Sequence, residues 1–196
     1  MSDSSATYEV RYGWNRKSVF VLLGSLAFLA APLLFSQYSS ARVDGITVPM
    51  AVISVLSALL GLCGVVAGLA TVLSRRIALR VDADGVTLGS LPLRSPTGEA
   101  FVPWEEITAV ELWVQHVGRT RMPYVGLHRA PGTATLPGAT RSRVAQAANT
   151  ALTGQSAELL AASRPVNFWH LDRPGFLAAV QQNAPTTPVI VAADFP

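Results

Sequence analysis

Two long stretches of this chain carry no charge at all, and they restrict its architecture more than any other feature. Ser18 to Phe35 is eighteen charge-free residues with six leucines, three phenylalanines and two valines. At roughly −0.3 to −0.6 kcal/mol each, those eleven side chains favour insertion into a bilayer by about 3 to 7 kcal/mol. As a helix rising 1.5 Å per residue, the run spans about 27 Å, close to the hydrocarbon thickness. Pro32 lies toward its far end, where a missing N–H costs less. Ile46 to Ser74 is twenty-nine charge-free residues, long enough to cross with tilt, and Pro49 falls in its first turn, where proline is tolerated. The residues between, Ser36 to Gly45, form a short polar connection with Arg42 and Asp44. So short a connection predicts antiparallel neighbours, a transmembrane hairpin of spans 18–35 and 46–74.

Cation placement predicts orientation. Arg11, Arg16 and Lys17 precede the first span, Arg75, Arg76 and Arg80 follow the second, and the connection holds only Arg42. The expectation is a cell-membrane protein with both termini cytoplasmic: a tail over 1–17, the hairpin, and a domain over 75–196. Tyr8, Tyr12 and Trp14 suit an interfacial aromatic belt or an unstructured aromatic tail. Ser39-Ser40-Ala41 resembles a signal-cleavage site, which leaves a cleaved leader over 1–41 as an alternative. Gly64 and Gly68 form a GxxxG, and Ala27 and Ala31 are small residues on the first span; packing within the hairpin, dimerisation and common membrane composition all account for them. Cys63 lies mid-span as a buried, inert thiol. Neither span contains Asp, Glu, Lys, Arg or His for an ion pathway.

Composition narrows the rest. Charged residues make up 14% of the 196, and hydrophobic residues 50%. That excludes disorder throughout, because disordered chains are charge-rich and apolar-poor. Fifteen Lys+Arg against twelve Asp+Glu gives +3, too small an excess to argue nucleic-acid binding. One cysteine excludes an internal disulfide framework and a cysteine-built zinc site.

After Ser74 the pattern alternates with period two, as in strands. Ile77, Leu79 and Val81 share a face. Asp84-Gly85 signals a type I′ hairpin, and Val86-Thr87-Leu88 returns. Ala100 to Trp104 reads as a strand, Thr108 to Val117 as another with Val110, Leu112 and Val114 on one face, and Arg121 to His128 as its hairpin partner. Trp113, on the opposite face, is either covered by later chain or exposed for a partner. Ala130 to Thr140 reads as loop, Arg141 to Thr153 and Ser156 to Ala162 as helix, and Arg164 to Leu171 as strand. Asp172 and Pro174 open a terminal helix with Phe176, Leu177 and Val180 inward; Asn183-Ala184-Pro185 ends it. Pro188 to Val191 is a short edge strand or lies against the domain.

Val81-Asp82-Ala83-Asp84-Gly85-Val86-Thr87-Leu88-Gly89, then Val102-Pro103-Trp104-Glu105-Glu106-Ile107, then Val110-Glu111-Leu112, resemble the bacterial PH-like domain family, in the actinobacterial type anchored by an N-terminal transmembrane hairpin. The likeness covers about 75–128 and 164–185. It implies an α+β fold: a bent antiparallel barrel or sandwich closed by a C-terminal helix. Asp84, Gly85, Pro103, Trp104 and Ile107 are its fold motif, with Trp104 plugging the barrel and its indole N–H bonding a carbonyl. The Ala83-Asp84-Gly85 turn is acidic where inositol-phosphate binders are basic, which argues against that ligand. The insert, 129–163, exceeds the family's usual connection.

No cofactor, metal or catalytic set is expected. Gly154-Gln155-Ser156-Ala157-Glu158 half matches a nucleophile elbow but lacks the preceding strand. Adjacent Glu105 and Glu106 diverge. His116 near the β-hairpin tip and His128 opposite Ala109 stand roughly 23 Å apart at 3.3 Å per residue. The candidate contacts for an anionic membrane surface or a partner are Arg75, Arg76, Arg80, Trp113, Arg119 and Arg121. The expected function is a non-enzymatic binding or scaffolding module at the membrane face, with the bilayer, a protein partner or a second copy as its associates. An accessory subunit of a transport or envelope-synthesis complex, and a membrane enzyme using the insert, are the alternatives.

Overall fold

The computed structural model describes residues 7–39, 47–90, 98–118, 120–137, 147, 150–151 and 153–196. The chain is α+β and divides into two compact units, residues 13–75 and residues 1–12 with 76–196. The connection 40–46, Arg119 and most of the expected 141–153 helix lie outside the described residues, although 147, 150, 151 and 153 are helical.

The first unit is two helices, α1 (Arg16–Ser39) and α2 (Thr47–Leu73). α1 starts two residues before the charge-free run because Asn15 and Ser18 cap it reciprocally. Asn15 Oδ1 accepts from the Ser18 amide at 2.8 Å, and Ser18 Oγ accepts from the Asn15 amide at 2.9 Å. Pro32 lies inside α1. Proline supplies no N–H to the carbonyl four residues back, that of Phe28, and Ser57 Oγ of α2 donates to this oxygen at 2.9 Å. Glycines set the helix spacing. A Cβ on Gly61 would sit 2.7 Å from the Leu29 amide nitrogen, one on Gly64 2.9 Å from Ser25 Cβ, and one on Gly68 2.7 Å from Leu22 Cδ2. The GxxxG therefore packs within the pair, as small residues permit, but against Leu22, Ser25 and Leu29 rather than Ala27 and Ala31. Large apolar side chains face outward, among them Phe20, Leu33, Leu60 and Leu73. Cys63 lies on this outer surface.

The second unit has two four-stranded sheets. In the first, β1 (Tyr8–Arg11), β2 (Ile77–Val81), β3 (Gly85–Leu88) and β4 (Ala100–Pro103) lie in that order, all antiparallel. A 3₁₀ turn, Trp104–Glu106, leads into the second. There the order is β7 (Ser163–Pro165), β6 (Thr120–Arg129), β5 (Ile107–Val117), β8 (Val189–Val191), and β8 joins β5 in parallel. Helix α3 (Ala157–Ala161) precedes β7, and α4 (Arg173–Asn183) precedes β8. Leu79, Val81, Val86, Val102, Val110, Leu112, Val125, Leu127, Phe176 and Val180 are buried in one core shared by both sheets and α4.

Four sequence expectations are revised. Residues 8–11 are a strand and not part of a tail: β1 pairs with β2 from Tyr8↔Val81 to Arg11↔Ile77, and the Tyr12 amide donates to the Arg76 carbonyl at 2.9 Å. Its alternating side chains place Tyr8 edge-on to Phe176 and bury Tyr12, so of the three expected belt aromatics only Trp14 is exposed. The β2–β3 turn is not type I′, since neither Asp84 nor Gly85 has positive φ. Instead, Asp82 Oδ1 accepts from the amides of Asp84 at 3.1 Å and Gly85 at 3.2 Å, an Asx arrangement. Gly85 is needed for closeness, because a Cβ there would strike the Val102 carbonyl and Pro103 Cα of β4. Finally, the expected 164–171 strand stops at Pro165. The Trp169 indole N–H donates to the Pro165 carbonyl at 2.9 Å and folds the segment back.

The Tyr12–Arg76 backbone bond means that residues 13–75 interrupt a β-hairpin. Replacing them with a short glycine-containing turn should give a soluble, cooperatively folding unit. Residues 76–196 alone, without β1 and buried Tyr12, should lose about 3 kcal/mol or more of stability, from the scale of deleting a core aromatic. Urea unfolding of the two proteins makes the comparison.

Candidate functional site

The side chains with chemical potential are mostly engaged in holding the fold. On the outer face of the second sheet, Trp113 and Tyr124, register partners on β5 and β6, stack with centroids 4.4 Å apart and planes 12° from parallel. Trp113 is 3% exposed. Gly126, two residues on from Tyr124, leaves the close space between them: a Cβ there would meet Ser163 Oγ, Leu159 Cδ1 of α3 and, at 3.3 Å, Trp113 Nε1. The end of the insert thus covers Trp113 and removes it as an exposed contact. The indole nitrogen is buried with no hydrogen-bond partner among the described residues.

One step along the same face, His128 Nε2 and Glu111 Oε2 are 2.7 Å apart. This pair was not read from the sequence. His128 opposes Ala109, as expected, and reaches diagonally past Gly126, the residue opposite Glu111. The lack of a side chain at Gly126 was the available signal. His116 lies instead at the other end of β5, where its Nε2 is 3.3 Å from Asp194 Oδ2. The same aspartate faces Arg121, whose guanidinium donates to the Asp194 carbonyl and lies 3.9 Å from its carboxylate. Arg121 therefore ties down the C-terminal segment. No group of three potential metal ligands occurs among the described residues.

Ser156 is the N-cap of α3, its Oγ accepting from the Leu159 amide at 3.1 Å. Glu106 pairs with Arg129 at 2.5 Å, and Arg129 Nη1 donates to the Ala134 carbonyl at 2.8 Å, fixing the loop after β6. Glu105 is exposed. Trp104 donates its indole N–H to the Asp82 carbonyl at 2.9 Å, Pro103 ends β4 and Ile107 is buried. Asp84 is exposed in the turn.

Arg80 forms an ion pair with Asp82 at 3.0 Å while 42% of its side chain stays exposed. Arg76 is half-buried at the end of β2 beside Tyr12. Arg75, in the helical unit, is exposed with φ +45°. The most numerous guanidinium bonds among the described residues belong to Arg164, which sequence reading passed over. Its nitrogens donate to the carbonyls of Gly89 at 2.7 Å, Gly98 at 3.2 Å, Ala161 at 3.3 Å and Ser163 at 2.9 Å, joining β7 to the far ends of β3 and β4.

Three tyrosines have raised pKa values. Burial raises Tyr12, with Arg164 partly opposing; burial raises Tyr124; and burial raises Tyr8, whose hydroxyl accepts from the Asp172 amide at 3.0 Å. The neutral phenol is thus favoured in the fold over the unfolded chain, where it titrates near 10. Their contribution is complete below about pH 10 and is lost as pH rises through the higher folded values. Urea titrations from pH 8 to 11 should show stability falling above about pH 10, with a shallower fall in Tyr12→Phe. Arg164→Ala should destabilise by about 3 kcal/mol or more by leaving several half-buried carbonyls unbonded.

Comparison with family models, with curated proteins and with solved structures gives no match for this chain.

Proposed function

We propose that this chain is a membrane-anchored, non-enzymatic binding module: α1 and α2 cross the cell membrane, and the α+β unit is a PH-like domain on the cytoplasmic face. The observation that carries this reading is the surface of the helix pair. Two helices long and apolar enough to cross a membrane touch through Gly61, Gly64 and Gly68 and turn large apolar side chains outward, among them Phe20, Phe28, Leu33, Leu34, Leu56 and Leu60. Water makes such a surface costly at about 25 cal/mol per Å², whereas lipid tails make it neutral.

Strand pairing supports the orientation. β1 precedes the helices and β2 follows them, yet they form one ladder, so both flanks belong on one side of the bilayer, as two spans provide. Cleavage near Ser40 would sever β1, which weighs against a leader. The cations Arg16, Lys17 and Arg75 at the matching ends of the helices favour the cytoplasmic side. The PH-like reading draws on the two sheets with a shared core, the Trp104–Asp82 bond and the inward Phe176 and Val180 of α4. The binding reading draws on the structural employment of Ser156, Glu106, His116 and His128. Arg75, Arg76 and Arg80 are the anionic-lipid contacts, at about 1 kcal/mol each.

A reporter fused after Pro196 should be active only inside the cell, and the full chain should need detergent for extraction; external activity overturns the orientation. In nanodiscs containing anionic lipid, Arg76→Gln with Arg80→Gln should reduce salt-sensitive association of the α+β unit with the bilayer by about tenfold or more. An unchanged value assigns binding to a protein partner instead.

A further inference from the structure

We propose that the edge of β5 opposite β6 is a strand-docking site and that its occupant, the C-terminal segment 188–195, is exchanged between two copies of the chain. This segment differs from the rest of its sheet. It is the parallel member, and its ladder is three residues long: Val110↔Val189, Glu111↔Ile190 and Leu112↔Val191. Backbone bonds close it at each end, from the Val110 amide to the Pro188 carbonyl at 3.0 Å and from the Ala192 amide to the Leu112 carbonyl at 2.8 Å. Beyond the ladder, Phe195 is buried in the core and Asp194 meets His116 and Arg121.

The groove is therefore specific: an apolar strand for β5, then an acidic residue for a basic pair, then an aromatic ring for the core. A second copy brings that sequence by construction, with its charge complementarity intact. The resident segment also has a ready hinge. Residues 184–188 leave α4 through Pro185 and Pro188 and belong to no strand, so the segment can redirect without disturbing α4. Its ion pairs are about half exposed and add little, beside the Arg121 bond to the Asp194 carbonyl. Most of what retains it is the ladder and Phe195, and both are recovered in full when the same segment arrives from another copy.

The register supplies the test. In a Cys63→Ser background, Glu111→Cys and Ile190→Cys place thiols on neighbouring strands of one face. The full chain carrying both, treated in detergent with a short bismaleimide, should cross-link, within one chain or between two, which verifies that the segment is seated on β5. Two differently tagged chains, one with each cysteine, are then co-expressed. Exchange predicts a cross-linked heterodimer, at least five times more abundant than from the mismatched pair Phe101→Cys with Ile190→Cys, and reduced by Phe195→Ala. Three results overturn the proposal: cross-linking in the double variant without heterodimer from the mixture, equal yields from matched and mismatched pairs, or no cross-link within the double variant.

Discussion

The antiparallel ladder between β1 and β2 is the contact on which the α+β unit depends. It joins residues separated by the whole helical segment, from Tyr8 and Val81 at one end to the Tyr12–Arg76 backbone bond at the other. Closing a loop of that length costs chain entropy, although the cost grows only logarithmically. The helices reduce it further, since an antiparallel pair returns the chain close to where it left. What the ladder secures is more than one edge strand. Tyr8 packs against Phe176, and its hydroxyl receives the Asp172 amide at the start of α4, where the Asp172 side chain itself makes no cap bond. The N-terminal strand therefore positions the C-terminal helix.

The helix pair shows how an apolar segment meets its few polar obligations. Proline in α1 leaves the Phe28 carbonyl without its helical donor, and one hydroxyl from α2 supplies it. A carbonyl without a partner on an apolar surface is costly, so Ser57 answers for Pro32 across the interface. Glycine at 61, 64 and 68 brings the helices close enough for that bond to form.

Much of this was legible in the sequence, and the misses share a cause. Continuous apolar runs located both helices, period-two alternation located β2 through β6, and Asp172-Pro174 marked α4, because each signal lies within a few consecutive residues. β1 was missed because its partner β2 lies beyond both helices, so no neighbouring turn or strand marks Tyr8–Arg11. The 164–171 strand was overextended because Trp169 bonds back to Pro165, a contact invisible to periodicity. Asp84-Gly85 looked like a turn signal of one type while the Asp82 carboxylate enforced another. Among the candidate contacts, Trp113 and Arg121 proved to have partners inside the α+β unit, and Arg164, which carries the richest set of bonds, gave no local sign.

The split placement of β1 and β2 has a consequence for biosynthesis. β1 leaves the ribosome first, but its partner is made only after about seventy more residues, which at roughly 5 to 20 residues per second means about 4 to 14 seconds of waiting. Throughout that interval Tyr8, Val10 and Tyr12 have no sheet to enter. β1 thus waits for β2, and Tyr8 waits longer still, for Phe176 of α4.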